Sequence, residues 1–183
     1  MPKIIDGLQK RILKEAKYQT FTNGYSKMTI RSVAKACDIA VGTIYNYYPS
    51  KDFLTASFIL QDWIPVEKEI QRQCKISTEP LEVLQGVYNT LERFNSDYRS
   101  LFEDKSALQS ASAMFQTRHQ ELRHRLAGML EDVCMKKAKI ASEFLPEFIA
   151  EAFLAWSIEA HSFTDLRIIL DPLFNGEQGE HQG

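Results

Sequence analysis

Apolar residues recur along this 183-residue chain at spacings of three and four, and no segment of strand length alternates apolar with polar positions. Spacings of three and four place side chains on one face of an α-helix. The pattern therefore predicts an all-α protein. Gly24, Pro49, Pro80 and Pro146 interrupt it, and a residue type that caps helices lies near each of them.

These interruptions define the predicted helices. The first spans about residues 3–23, a short second helix follows its N-cap Thr29, and the third spans about 41–48. A long fourth helix over about 50–75 is expected to kink after Trp63, because Pro65 removes a backbone donor and clashes with the preceding turn. Further helices are predicted at about 80–97, 99–116, 118–141 and 145–171. The predicted domains are a three-helix head over 1–49, a helical body over 50–174 and a disordered tail over 175–183.

Charge is distributed unevenly along the chain. Residues 1–51 carry nine Lys or Arg and three Asp or Glu, a net charge of +6, so the remainder carries −8 although the whole chain has only −2. A basic segment attracts the phosphates of a nucleic acid, and an acidic segment is repelled by them. The division therefore favours a first segment that lies against DNA.

Several other classes of protein are disfavoured. No stretch approaches about 20 uninterrupted apolar residues, and the first residues lack the apolar core of a signal peptide. We therefore expect a cytoplasmic protein with no membrane partner. Cys37, Cys74 and Cys134 are far apart and form no C-x-x-C pair, so they are interpreted as small buried side chains. Neither a metal site nor a cofactor is expected.

The third predicted helix divides its side chains into two sets. At about 100° per residue, Ile44 and Tyr48 fall on one side and Thr43, Asn46 and Tyr47 on the opposite side. The first pair is expected to pack inward. The second set offers a hydroxyl, an amide and a phenol, which can hydrogen-bond base edges in the major groove.

Three further residues complete the predicted DNA surface. Tyr45 lies at the flank of the third helix, where it suits a phosphate. Lys51 lies in the first turn of the fourth helix, where its ammonium and the free backbone donors of that helix start are expected to hold a phosphate. Arg31 projects from the second helix, and its guanidinium can donate two hydrogen bonds to guanine. Each residue alone would be interpreted as an ordinary surface group, whereas their combination in a basic segment favours DNA contact.

Two runs in the same segment resemble the TetR/AcrR family of repressors. They are GYSKMTIRSVAKA over residues 24–36 and VGTIYNYYPSK over residues 41–51. The resemblance covers roughly the first third of the chain. It implies a three-helix head whose third helix enters the major groove, a body of about six helices that holds a ligand, and a homodimer built from the last two long helices. By position it assigns DNA contacts to Arg31, Thr43, Tyr45, Asn46, Tyr47 and Lys51.

The chain departs from the family pattern at three positions. Thr20 stands where the family usually has Phe, Asp38 where it has the turn glycine, and Ala40 where it has a capping Ser or Thr. Asp tolerates the left-handed conformation better than most residues, so the turn is expected to survive. The missing hydroxyl at Ala40 is expected to cost about 0.5–2 kcal/mol of local stability.

The last predicted helix is apolar around more of its circumference than one packing stripe requires. A symmetric second copy would cover the excess in a four-helix interface with the preceding helix. Burial of that helix within a monomer is the alternative. The predicted interface residues are Leu122, Leu126, Met129, Val133, Phe153, Trp156, Ala160 and Phe163. Two-fold symmetry then predicts a roughly palindromic operator.

Aromatic side chains in the middle helices predict a pocket for a small apolar or amphipathic effector. The predicted lining is Phe58, Trp63, Tyr88, Phe94, Tyr98, Phe102, Met114 and Phe115, with Gln61, Asn95 and Gln109 as further polar anchors. The alternative for each of them is a plain core position. Bound effector is expected to move the fourth helix, with Pro65 as its weak point, and so to change the separation of two DNA-binding heads.

Two other classes of function were weighed against a ligand-released repressor. An enzyme needs catalytic groups, but the four histidines are scattered and the chain contains no H-E-x-x-H, P-loop or G-x-S-x-G motif. No catalytic residue is therefore predicted. The other alternative keeps the DNA-binding head but makes the chain an activator, or makes its body a docking surface for a protein. The sequence favours a homodimeric repressor.

Overall fold

The computed structural model describes residues 7–104, 112–138 and 142–175. Within these ranges all regular structure is helical, as the apolar spacing predicts. The helices are α1 (Leu8–Asn23), α2 (Ile30–Ala36), α3 (Val41–Tyr45), α4 (Lys51–Ile76), α5 (Pro80–Phe102), α6 (Ser112–Lys137), α7 (Leu145–Ile158) and α8 (Phe163–Asn175), with a 3-10 turn at Tyr25–Lys27. None of the helices in these ranges is long and apolar enough to span a bilayer.

The chain divides into two compact units. The first takes its described residues from positions 1–64 and 98–115, and the second from 65–97 and 116–183. The predicted head, residues 1–49, lies wholly within the first unit. Because α4, α5 and α6 each continue past a division point, both units contain part of each of these three helices.

The first unit packs α1, α2 and α3 around a small apolar core. Leu8, Ile12, Val33 and Ile44 come from these three helices, and each is at most 1% exposed. A polar contact adds to this packing, since Nη2 of Arg11 donates a hydrogen bond of 2.8 Å to the backbone carbonyl of residue 37 at the end of α2. The head is therefore held by apolar burial and by a direct bond from α1 to α2.

A cluster around Tyr98 joins α1 to α4 and α5 within the first unit. The Lys17 ammonium and the Tyr98 hydroxyl both donate to Oδ2 of Asp62, the latter over 2.5 Å. The Tyr98 ring meets Phe21 edge-on at 5.3 Å and stacks on Phe58 at 6.5 Å between centroids. This cluster fixes the last turn of α5 against the first unit.

Three predicted helix boundaries in the second half of the chain are wrong. α5 is one helix through residues 97–99, because the contacts of Tyr98 continue it, and α6 is one helix through residues 116–118. The predicted last helix over 145–171 is two helices, since the chain turns at Ala160, whose φ is 59°. α4 contains Pro65 within a single helix, and the kink there stays a prediction.

Aromatic packing forms the centre of the second unit. Tyr88 of α5 lies edge-on to Phe153 of α7 at 5.3 Å and 5.7 Å from Phe163 of α8. Its hydroxyl donates a hydrogen bond of 2.7 Å to the backbone carbonyl of His161, in the turn between α7 and α8. Burial, followed by the charges of nearby carboxylates, raises the pKa of Tyr88 to about 12. The phenol therefore stays protonated and keeps its donor for the turn.

Candidate DNA-binding site

The second helix of the motif begins with a reciprocal cap. Thr29 has extended backbone angles, and its Oγ1 accepts a hydrogen bond of 3.0 Å from the backbone N–H of Ser32. In return Oγ of Ser32 accepts one of 3.0 Å from the backbone N–H of Thr29. This capping box satisfies two backbone donors at the start of α2. The predicted cap at Thr29 is confirmed, and the role of Ser32 is an addition from the structure.

The turn from α2 to α3 forms where the chain lacks the usual glycine. Asp38 adopts a φ of 51°, so the expected left-handed conformation at this position is confirmed. The backbone N–H groups of Asp38 and Ile39 donate to the carbonyls of Lys35 at 3.2 Å and Ala34 at 3.0 Å. These two bonds constitute a Schellman motif, which ends α2 and directs the chain into α3.

The third helix of the motif is short and lacks a cap. α3 runs from Val41 to Tyr45, three residues shorter than predicted, and no side chain bonds its first turn at Ala40. Its inward side is anchored as predicted, since Ile44 is 0% exposed and Tyr48 is 6% exposed. The backbone N–H of Tyr48 still donates to the carbonyl of Ile44 at 2.8 Å, so helical spacing continues past the end of α3.

Lys51, in the first turn of α4, contacts the aromatic ring of Tyr25. Ser50 caps α4, since its Oγ accepts a hydrogen bond of 3.0 Å from the backbone N–H of Phe53. The Lys51 ammonium lies 3.8 Å from the centre of the Tyr25 ring, and the Tyr25 hydroxyl donates to the carboxylate of Asp52. Burial lowers the pKa of Lys51, and the carboxylates of Asp52 and Asp104 partly oppose this.

The six predicted DNA contacts are distributed over α2, α3 and the start of α4. Five of them fall within nine residues of one another in the chain, and the sixth lies on α2. Arg31, Tyr45 and Asn46 are exposed, whereas Thr43, Tyr47 and Lys51 are half-buried. Tyr45, expected at the flank, is 52% exposed. The polar groups suited to phosphates and base edges are therefore accessible to different degrees.

Sequence reasoning missed Tyr25 and Asp52 as neighbours of this site. Tyr25 is 4% exposed and lies 26 positions before Lys51. No local spacing rule connects residues so far apart in sequence. Asp52 directly follows Lys51 in the sequence, and this position is a local signal that a carboxylate lies close to that ammonium.

The predicted effector-lining residues divide between the two units. Phe58, Trp63 and Tyr98 belong to the first unit, and Tyr88 and Phe94 to the second; each is at most 8% exposed. The Tyr98 hydroxyl donates a hydrogen bond to Asp62, and Nδ2 of Asn95 donates one of 2.7 Å to the Ser157 hydroxyl. Both of these predicted polar anchors therefore already have protein partners. The third, Gln61, is exposed. The remaining predicted positions lie outside the residues, or the side chains, that the structure describes: Phe102, Met114, Phe115 and Gln109.

Half of the predicted dimer-interface residues are buried in the core of the single chain. Leu126, Val133, Phe153 and Phe163 are at most 7% exposed, because the second unit uses them in its own core. Their placement on an exposed face is therefore corrected. Leu122, Met129 and Trp156 are half-buried, and Ala160 lies exposed in the turn after α7. The largest exposed apolar side chains of α7, α8 and the residue before α7 are Phe144, Phe148, Ile158, Ile168 and Ile169.

Residues 12–57 match the family model for bacterial regulatory proteins of the tetR family. This part of the chain is therefore similar to the tetR family of bacterial regulatory proteins. The resemblance seen in the two runs of sequence is thus confirmed, and the match also includes the first turns of α4. The matched segment has no glycine at position 38 and no hydroxyl at position 40, yet it forms the turn and the third helix.

A curated relative extends the comparison beyond the head. The HTH-type transcriptional repressor KstR of Mycobacterium tuberculosis is 31% identical over 85 residues, which cover 46% of this chain and 39% of KstR. The chain therefore spans about two-fifths of the length of that relative. The relative is named as a transcriptional repressor.

Solved structures resemble the whole chain in fold. GusR of Salmonella enterica has a TM-score of 0.68 at 21% identity, and the match covers 94% of this chain and 98% of GusR. The TetR-family repressor FadR of Thermus thermophilus, solved with lauroyl-CoA, has a TM-score of 0.65 at 20% identity, covering 96% of this chain and all of FadR. These likenesses establish the all-helical fold of a TetR-like head followed by a helical body.

Proposed function

We propose that this chain is a transcription regulator, acting as a repressor, that binds duplex DNA through its TetR-family head. The observation that carries the proposal is the match of residues 12–57 to the family model. The exposed polar side chains on and after α3 add to it, as does the net charge of +6 over residues 1–51. DNA as the partner implies that the protein works in the cytoplasm.

Each predicted contact has a role that follows from its chemistry. Amide, hydroxyl and guanidinium groups hydrogen-bond base edges, and a phenol or ammonium at the flank holds a phosphate. Base contacts are assigned to Arg31, Thr43, Asn46 and Tyr47, and phosphate contacts to Tyr45 and Lys51. The half-buried positions of Thr43 and Tyr47 favour contacts that depend on close approach of α3 to the groove.

A homodimer follows from the apolar surface near the end of the described chain. Phe148 of α7 is 58% exposed, and Ile168 and Ile169 of α8 are 73% and 51% exposed. Large exposed apolar side chains support an interaction surface when a partner covers them. A second copy related by a two-fold axis would cover them on both subunits at once. The dimer would present two heads to a palindromic operator.

A small apolar or amphipathic effector is the proposed signal for release. FadR, which shares this fold, was solved with lauroyl-CoA, a molecule of that amphipathic class. For release to occur, the effector has to prefer the conformation whose head spacing does not fit the operator, because equal affinity for both states shifts nothing. α4 is the proposed route, since one helix carries both Lys51 in the first unit and residues of the second unit.

DNA binding is tested by fluorescence anisotropy with a labelled random-sequence duplex of about three helical turns. We expect binding that weakens steeply as salt increases, because each phosphate contact releases counterions. Lys51→Gln is expected to reduce the slope of log K against log salt, whereas Lys136→Gln, an exposed charge change in the second unit, leaves it unchanged. Absence of salt-dependent binding by the unmodified chain would contradict the proposal.

The dimer is tested by sedimentation of the full chain at micromolar concentration. Phe148→Glu and Ile168→Glu are expected to yield monomers, because each places a charge in the proposed apolar interface. Thr164→Glu changes another exposed position of α8 and is expected to leave the dimer intact. A monomeric unmodified protein would contradict the proposed dimer. DNA binding by a single head would still be tested separately by the anisotropy measurement.

A further inference from the structure

The contact between Lys51 and Tyr25 connects two parts of the first unit that are distant in sequence. Lys51 begins α4, whereas Tyr25 begins the 3-10 turn between α1 and α2. The Lys51 ammonium lies over the face of the Tyr25 ring, 3.8 Å from its centre. At this distance the negative face of the ring attracts the cation.

Packing, the conformation of the preceding glycine and a hydrogen bond together fix the position of the Tyr25 ring. The side chain is 4% exposed, so packing fixes it on most sides. Gly24 precedes it with a φ of 90°, a backbone conformation that favours glycine. The Tyr25 hydroxyl donates to Oδ1 of Asp52, the residue after Lys51 on α4. The ring is thus bonded to the same helix turn that carries the lysine.

This arrangement leaves the hydrogen bonds of the lysine available. A ring face attracts a cation but accepts no ordinary N–H···O hydrogen bond, and an ammonium has three donors. A lysine also has a flexible four-carbon stem, so fixing it in advance reduces the entropy cost of binding a ligand. A fixed ammonium whose donors bond no acceptor among the described residues is suited to a phosphate oxygen.

We propose that Tyr25 is a positioning residue, which holds the Lys51 ammonium where it meets a DNA phosphate and which Asp52 in turn keeps in place. This inference rests on the proposed DNA-binding function and assigns Tyr25 no contact with DNA. It differs from a purely structural role, because its effect on DNA binding acts through Lys51. A variant that combines substitutions at Tyr25 and Lys51 therefore distinguishes a positioning role of Tyr25 from a purely structural one.

The test is a double-mutant cycle with Tyr25→Leu and Lys51→Gln, measured with the random-sequence duplex at several salt concentrations. Lys51→Gln is expected to lower the salt slope by about 0.9 for each phosphate that the variant no longer neutralises. Tyr25→Leu is expected to weaken binding about three- to tenfold when Lys51 is present and by less than about twofold when it is replaced. Equal weakening in both backgrounds would overturn the proposal.

Two conservative variants guard against a folding defect in Tyr25→Leu. Tyr25→Phe keeps the ring and removes the hydroxyl that donates to Asp52, and Tyr25→Trp keeps an aromatic face for the cation. Because it loses its bond to Asp52, Tyr25→Phe is expected to bind DNA about twofold more weakly than the unmodified chain and more tightly than Tyr25→Leu. The thermal midpoint of each variant is recorded beside its affinity. A folded Phe variant that binds no more tightly than the Leu variant would also overturn the proposal. If the unmodified chain does not bind the duplex, the proposed function itself fails, and this inference with it.

Discussion

The two helices of the DNA-binding motif begin in different ways. α2 begins at Thr29, which exchanges hydrogen bonds with Ser32 in a capping box. α3 begins at Ala40, whose side chain bonds no backbone donor. Since every helix start leaves backbone donors without an intrahelical partner, α3 depends more than α2 on contacts made elsewhere along its length.

For α3 those contacts lie on its inward side. Ile44 is 0% exposed and Tyr48 is 6% exposed, and the Tyr48 ring lies 6.4 Å from the Phe53 ring of α4. In α2 a local capping box thus adds to tertiary packing, whereas α3, the helix proposed to read bases, depends on tertiary packing without a side-chain cap. Substitutions in α2 are therefore expected to act through loss of the capping hydrogen bonds, and substitutions in α3 through loss of apolar packing.

The largest effect is expected from Ile44→Ala. Removing a buried aliphatic side chain forfeits its transfer free energy and leaves a cavity, so the free energy of unfolding should fall by about 2–5 kcal/mol. Urea unfolding measures the decrease. Tyr45→Ala, at the neighbouring exposed position, is the control and should change stability by about 0.5 kcal/mol or less. Similar decreases for both variants would mean that packing of Ile44 does not hold α3.

A smaller effect is expected from Thr29→Ala. The substitution removes the hydroxyl that accepts from the Ser32 N–H, and loss of an N-cap costs about 1 kcal/mol. Thr29→Ser keeps the oxygen and should retain most of the stability. Thermal or urea unfolding distinguishes the two variants, and equal stability of Thr29→Ala and the unmodified chain would show that the capping box does not stabilise α2.

The smallest effect is a gain, expected from Ala40→Ser. A hydroxyl at the start of α3 supplies the acceptor that this helix lacks, and we expect the free energy of unfolding to rise by about 0.5 kcal/mol. Ala40→Val, which adds volume but no oxygen, serves as the comparison. A serine variant no more stable than the valine variant would show that the uncapped start of α3 costs the protein nothing.

The features of the head that local chemistry determines were predicted from sequence. The end of α1 before Gly24, the cap at Thr29 and the left-handed turn at Asp38 each depend on one residue type and its immediate neighbours. The inward placement of Ile44 and Tyr48 follows from helical spacing alone. The contact of Tyr25 with Lys51 escaped prediction because it joins residues far apart in the chain.

The body was predicted less well because long-range contacts determine its helix ends. Ser96 and Asp97 are exposed on α5, and the cluster around Tyr98 carries the helix past them. The turn at Ala160 is held by the Tyr88 hydroxyl on the carbonyl of His161, 73 positions away. A local signal for this turn did exist: Oγ of Ser162 accepts from the Asp165 N–H, as expected for a helix cap.

The dimer residues illustrate a related limit. α7 is apolar around most of its circumference, so spacing alone does not tell which side faces its own core and which faces a partner. The structure places Phe153 inside, against Tyr88 and Phe163, and leaves Phe148 exposed. The proposed interface accordingly moves to the exposed apolar residues.

The most direct test of the central claim is selection of bound sequences from random duplex DNA by the purified full chain. A dimer that reads bases through Arg31, Thr43, Asn46 and Tyr47 should enrich a palindrome whose half-sites lie about one helical turn apart or slightly more. The variant Thr43→Ala/Asn46→Ala should lose preference at the base pairs those residues contact, by about 1–3 kcal/mol for each good contact. Recovery of no preferred sequence, or of an unchanged palindrome with that variant, would contradict the claim.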